Sequence, residues 1–305
     1  MKRFENKPAG LISNLELKTF KGQFVYWLFF AIMVLVCVFT LLPALWTIMT
    51  AFKETNEIYE SFSFFPKNMA PSNLWKRISE SWQQAQLGRT FLNTFVLSIG
   101  NVLFGIIISG LAGYTLSKLK PKYSRIIFVL IVWTMMMPSQ IRMVPNYIGN
   151  LNFPFASQNS IIPGINLLDT FWPMWLAAPC ISFNIVLFKN AFDGLSQSYV
   201  EAAQIDGCSN LGIFFKIMVP LAKPVIVYIS IGLMTAAWSD FFGPLLYLNS
   251  IETTPLKIYR LQSDATIQMN TRFMALIISS LPALIIFVIF QKQIIGGINV
   301  GGVKG

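Results

Sequence analysis

The chain has 305 residues, 54% of them hydrophobic and 12% charged, with a net charge of +10 and no histidine. Soluble domains carry roughly 25% charged residues, so this imbalance excludes a soluble globular domain and points to lipid as the solvent. The basic residues are scattered among apolar stretches rather than gathered with aromatics, which argues against nucleic acid, and the lack of histidine removes the usual general base and the commonest transition-metal ligand.

The N-terminal segment, residues 1–23, is basic (Lys2, Arg3, Lys7, Lys18, Lys21) and is expected to be cytoplasmic. Within it Ser13 and Glu16 form a capping-box pattern that predicts a short helix on the inner membrane face. The apolar stretch that follows is far longer than a signal-peptide core, so an uncleaved anchor is expected. Six stretches then have the length to cross a bilayer: residues 24–52, 91–117, 126–147, 168–188, 225–248 and 273–290. A hydrocarbon core about 30 Å thick requires roughly 20 apolar residues per helix. None of the stretches alternates as a barrel strand does, and lipid leaves a broken backbone unsatisfied, so the expected fold is an all-α membrane domain over residues 24–295. A short cytoplasmic tail, residues 296–305, closes it.

Short cytoplasmic loops retain positive charge. With the N-terminus inside, the inner segments collect the N-terminal lysines and arginine together with Lys118, Lys120, Lys122, Arg125, Lys189, Lys216, Lys223, Lys292 and Lys304, whereas Glu54, Glu57, Glu60, Glu80, Glu252 and Asp264 fall outside. Both termini are therefore expected in the cytoplasm. Pro43, Pro138, Pro145, Pro173, Pro179, Pro244 and Pro282 lie within or at the ends of apolar stretches. Each removes a backbone donor and can kink its helix, which suits either a transport path or ordinary membrane packing. Gly100, Gly105, Gly110 and Gly113 predict a close-packing face on the second span. Cys37, Cys180 and Cys208 have no short spacing, so neither a disulfide framework nor a metal site is expected.

Residues 196–224, between the fourth and fifth spans, read SQSYVEAAQIDGCSNLGIFFKIMVPLAKP. Ser198 followed by Glu201 is a second capping-box pattern and predicts a helix from about Tyr199. Gly207 suits the left-handed residue that ends it, Ser209 or Asn210 can cap another helix, and Pro220 with Pro224 marks entry to the next span. A compact helix-turn-helix on the cytoplasmic face is the expectation.

Glu201, Ala202, Ala203, Gly207, Ile217 and Pro220 stand at the spacing of the EAA loop of binding-protein-dependent ATP-binding-cassette importers, and the chain resembles that family. The longer form EAAxIDG, which includes Asp206, runs from Glu201 to Gly207. The fifth span carries Trp238, Ser239, Asp240 and Phe241 with Pro244-Leu245, and the tail QKQIIGGINVGGVKG is similar to the close of maltose-type carbohydrate permeases. Ser239 stands where that subgroup commonly has asparagine. The resemblance implies a permease subunit that pairs with a second permease, two cytoplasmic ATPase subunits and an extracellular solute-binding protein. It implies a carbohydrate solute, with Glu201, Ala202, Ala203, Asp206, Gly207, Ile217 and Pro220 coupling it to the motor. ATP and magnesium would reside on the partners, and no GxxxxGK[ST] phosphate loop occurs in this chain.

Asp240 lies inside the predicted fifth span, where an ionisable group marks either a structural hydrogen bond or a solute contact. Trp133 and Trp238, with Trp172 and Trp175, fit interface anchoring or packing, and alternatively stacking on sugar rings. Arg142, near the outer end of the third span, reads as a snorkelling anchor in preference to a contact with a charged solute. A self-sufficient secondary transporter is the competing class, but it requires titratable groups near the midplane and usually an internal repeat, and Asp240 alone qualifies. A non-sugar solute for an importer of the same type is the other alternative. A membrane enzyme is disfavoured by the missing histidine and by the absence of paired acids in the spans.

Overall fold

The structure, a computed structural model, describes residues 19–60, 63–68, 71–154 and 164–295. The capping box at Ser13 and Glu16 and the tail 296–305 lie outside the described residues. Among the described residues the chain is helical, and its only bridge is an isolated antiparallel pair between Phe153 and Ile165. Three helices are each long and apolar enough to cross a membrane, Phe20–Ala51, Leu87–Leu119 and Met269–Gln293, and three bent pairs bring the total to as many as six.

The helices follow in order: α1 (Phe20–Ala51), α2 (Thr55–Glu60), α3 (Pro71–Gln84), α4 (Leu87–Tyr114), α5 (Ser124–Met136), α6 (Met143–Leu151), α7 (Trp172–Ala177), α8 (Ser182–Asp193), α9 (Ser198–Ile205), α10 (Asn210–Ile213), α11 (Val219–Leu221), α12 (Lys223–Ser239), α13 (Phe242–Tyr247), α14 (Thr254–Ser263) and α15 (Met269–Ile295). A π-helical turn, Thr115–Leu119, extends α4, and another, Phe214–Met218, joins α10 to α11.

The third, fourth and fifth predicted spans are not continuous. The third breaks at Met137, whose ψ of 125° is extended, because the ring of Pro138 disfavours helical geometry in the residue before it. The fourth starts at Trp172 rather than Leu168, and a 47° bend at Ile181 separates Trp172–Cys180 from Ser182–Asp193. The fifth ends at Asp240, and α13 follows as a separate short helix. Pro43 and Pro282, in contrast, sit inside the unbroken α1 and α15.

Helix α4 is the axis of the bundle, packed on α7, α8 and α12. Its predicted glycine face is buried throughout. A Cβ on Gly100 would overlap the indole of Trp175 at 1.9 Å, one on Gly105 would meet Leu233 at 2.6 Å, and one on Gly110 would meet Phe214 at 3.1 Å. At Gly113 the obstacle includes backbone, with Phe188 Cβ at 2.6 Å and the Lys189 nitrogen at 2.9 Å. Small residues admit this approach where lipid supplies no hydrophobic drive between helices. Beyond this seam Tyr114, Phe188, Phe192, Phe214 and Met218 form the core under the 196–224 loop. At the other end Ala51, Leu87, Leu261 and Met274 join α1, α4, α14 and α15. Phe29, Leu35 and Phe39 of α1, like Leu284 and Val288 of α15, are exposed, as lipid-facing side chains must be.

The seam sets an expected outcome. Gly113→Ala lowers stability by about 1–3 kcal/mol, since neither backbone nor Phe188 Cβ can yield cheaply. Gly232→Ala, whose Cβ meets nothing within 4 Å, is neutral or slightly stabilising. Thermal unfolding of both variants in detergent checks the contrast.

Candidate functional site

Where the helix breaks converge, the bundle carries an open cavity of about 750 Å³. Leu97 and Asn101 of α4, Arg142, Asn146 and Asn150 around α6, Met174 and Ala178 around α7, Leu233 and Ala237 of α12, and Asp240, Gly243 and Tyr247 line it. Its wall is apolar with a few polar groups, the usual build of a small-molecule site. Asp240 stands at the break, where its Oδ1 accepts hydrogen bonds from the backbone N–H groups of Phe242 at 2.9 Å and Gly243 at 3.1 Å. The carboxylate thus caps α13 and satisfies donors that hydrocarbon would leave bare. It serves structure and borders the cavity at once. Tyr247 stacks on Tyr147 with ring centroids 6.4 Å apart.

Trp133 and Trp238, read from the sequence as packing groups or alternatively as sugar-stacking groups, do not line this cavity. Trp133, on α5, is 61% exposed and outside the lining. Trp238 packs edge-on against Phe91 at 5.4 Å, and Trp175 fills the notch over Gly100 with its Nε1–H donating to the Leu97 carbonyl at 3.2 Å. Asp240 is therefore not joined at the cavity by Trp133 or Trp238. Arg142 lines the cavity rather than acting only as a surface anchor. Sequence reasoning passed over Asn101, Asn146, Asn150 and Tyr247; the signal for Asn101 was an amide in the middle of an otherwise apolar stretch.

In the 196–224 loop, α9 begins at Ser198, one residue earlier than the capping box requires. Ser198 therefore lies inside the first turn, its N–H goes to Ser196 Oγ at 3.3 Å, and no side chain caps the helix. The Ser198–Glu201 capping box is not formed. Glu201 is exposed and its carboxylate has no partner among the described residues. The C-terminal end closes as a Schellman motif: Gly207 adopts φ +77°, its N–H donates to the Gln204 carbonyl at 3.0 Å, and the Cys208 N–H donates to Ala203 at 2.9 Å. Only a residue without Cβ takes that conformation freely. Ser209 caps α10 by accepting from the Gly212 N–H at 3.2 Å. Val200 and Ala203 are buried in the adjoining core, while Ala202 and Asp206 are exposed and Ile205 is 87% exposed. Ile217 is half-buried in the π-helical turn, Pro220 is exposed, and the segment 210–221 meets α12 at 83°.

A polar latch ties the end of α8, just before this loop, to the π-helical turn that extends α4. Ser117 Oγ donates to Asp193 Oδ1 at 2.6 Å, Lys189 Nζ sits 2.5 Å from Asp193 Oδ2, and Lys118 Nζ donates to the Leu195 carbonyl at 2.6 Å. At the opposite end of the bundle Asp169 accepts from the N–H groups of Asn249 and Ser250 and from the Ser250 hydroxyl at 2.6 Å. The Ser250 hydroxyl and backbone hold the Asp169 carboxyl below its ordinary value. Burial alone would raise Glu252, but hydrogen bonds from Lys257 and Arg260 prevail and lower it. Among the described residues no cluster of three or more His, Cys, Asp or Glu side chains is able to hold a metal ion.

Residues 101–299 match the profile of the binding-protein-dependent transport system inner membrane component. The chain belongs to that family. This inner membrane component is 28% identical over 294 residues to a probable ABC transporter permease protein, YurM, of Bacillus subtilis, covering 94% of this chain and 91% of the relative. It is 31% identical over 217 residues to the arabinooligosaccharides transport system permease AraQ of the same organism, covering 70% and 73%. A solved structure of a bacterial ABC transporter involved in import of the acidic polysaccharide alginate superposes with a TM-score of 0.73 at 20% identity, over 90% of this chain and 98% of that one. The fold is therefore that of a multi-pass inner membrane component of such importers.

Two outcomes follow from the geometry. Asp240→Ala lowers stability by about 1 kcal/mol through the lost cap, whereas Asp240→Asn, which caps equally well, costs a few tenths; thermal unfolding distinguishes them. Because the Asp169 carboxyl is depressed in the folded chain, its contribution is present above its unfolded value and is lost as pH falls below about 4. Asp169→Asn flattens that acid-side loss, as read from melting temperature against pH.

Proposed function

We propose that this chain is the permease subunit of an ATP-driven importer that carries a carbohydrate, in the size range of an oligosaccharide, delivered by an extracellular binding protein. Relatives of this chain include permeases for arabinooligosaccharides and for melibiose, raffinose and stachyose. The amide-lined cavity suits polyhydroxylated solutes, whose hydroxyl groups pair with amide donors and acceptors. The chain works beside a second permease subunit and two ATPase subunits, which hold ATP and magnesium. Both termini, with segments 1–23 and 296–305, lie in the cytoplasm, as the lysine and arginine distribution favours.

The observation that carries the reading is mechanical. Helix α9 is closed by a Schellman turn and anchored by Val200 and Ala203 in the core shared with α8 and α12, and α12 walls the cavity. Its outward face offers Glu201, Ala202, Asp206 and the apolar Ile205 to a partner cleft. A rigid element of this kind transmits closure of the ATPase pair to the bundle, with Gly207, Ile217 and Pro220 fixing the turn and the approach to α12. Since the capping box is not formed, Glu201 is free to meet a basic group on the motor.

Reconstitution in proteoliposomes with both permeases, the ATPase and the binding protein tests this. Uptake requires ATP; transport by this chain alone without ATP would overturn the importer reading. Glu201→Lys and Gly207→Val insert normally yet reduce uptake at least about tenfold, the scale of a coupling free energy of ~1.4 kcal/mol. Wild-type uptake in both variants removes the coupling assignment.

A further inference from the structure

The cavity lining holds one cation, Arg142, and one acid, Asp240. Arg142 ends the short 3-10 turn that follows the break at Pro138, and it is held at the cavity as the residue that opens α6. Among the described residues its guanidinium has no carboxylate within salt-bridge distance and no hydrogen-bond partner. Asp240 is the one acid in the lining, and its Oδ1 is engaged by the two N–H groups that start α13. Asn101 Oδ1 is buried without a partner. The Asn146 amide likewise has no protein partner among the described residues, while the Asn150 amide donates to the Asn146 carbonyl at 2.8 Å.

Arg142 is exposed and lines the cavity, so its guanidinium is open to a solute there. A guanidinium presents paired donors that match a carboxylate in two parallel hydrogen bonds, a geometry that a neutral hydroxyl does not reproduce. The neighbouring amides offer both donors and acceptors to hydroxyl groups. We propose that the solute is an acidic saccharide, and that Arg142 determines this specificity by holding a sugar carboxylate while Asn101 and Asn146 hold ring hydroxyls. This deepens the carbohydrate-importer reading and rests on it.

The test uses the full chain co-purified with its partner permease in nanodiscs, titrated with digalacturonate and with the carboxyl-reduced form of the same disaccharide. The two probes share a skeleton and differ in charge. The expected result is that the acid form binds about tenfold more tightly, the margin of one charge-assisted hydrogen-bond pair. Raising ionic strength narrows that margin. Arg142→Gln removes the preference, so that the acid and reduced forms bind with equal affinity, and Arg142→Lys, which keeps charge but not the fork, retains part of it. Equal binding of the two probes, binding of neither, or an undiminished preference in Arg142→Gln overturns the inference. Failure here leaves the importer reading intact if ATP-dependent uptake of neutral saccharides is observed in proteoliposomes; loss of ATP dependence sinks that reading on separate grounds.

Discussion

Hydrocarbon offers no hydrogen-bond partner to an open backbone, and the bundle is organised around that constraint. Three spans are interrupted, at Met137, Ile181 and Asp240. Each interruption, or the turn that follows it, borders the same cavity through Arg142, Ile181 and Asp240. Irregular backbone at membrane depth is tolerated where protein or a water-lined space covers it, so gathering the breaks satisfies the chain and brings a few polar groups to one cavity in the same step. At Asp240 the side chain itself supplies the missing acceptor, which ties the charge to the architecture rather than leaving it an isolated cost.

Helix α4 connects this cavity to the 196–224 loop. Leu97 and Asn101 face the cavity at one level, while at the other Gly113 lets α8 approach to backbone contact, and Ser117 and Lys118 hold Asp193 and Leu195. A seam packed this tightly transmits displacement because side chains cannot absorb it by small adjustments. The π-helical turns at Thr115–Leu119 and Phe214–Met218 lie on either side of the Tyr114–Phe214 contact, and such turns recur at functional points of helices.

Local rules read parts of the loop well and failed at one point. Gly207 was legible as a left-handed terminator and Ser209 as a cap because those roles depend on backbone geometry within a few residues. The Ser198–Glu201 pattern misled, since Ser196 takes the Ser198 N–H first and shifts the helix start. Pro138 was legible as a kink but not as the site of a 102° bend. Pro43 and Pro282, of the same residue type, leave their helices unbroken, so the difference lies in the surroundings and not in the ring.

What the sequence determined alone was the solvent, the apolar stretches, the glycine seam and the left-handed turn at Gly207, because hydropathy, small side chains and turn residues act over short distances. Only the tertiary structure decided that Arg142, Asn101, Asn146 and Asp240 share one cavity and that Trp133 and Trp238 do not. Those residues come from different helices, and their meeting depends on where three breaks fall relative to one another in space.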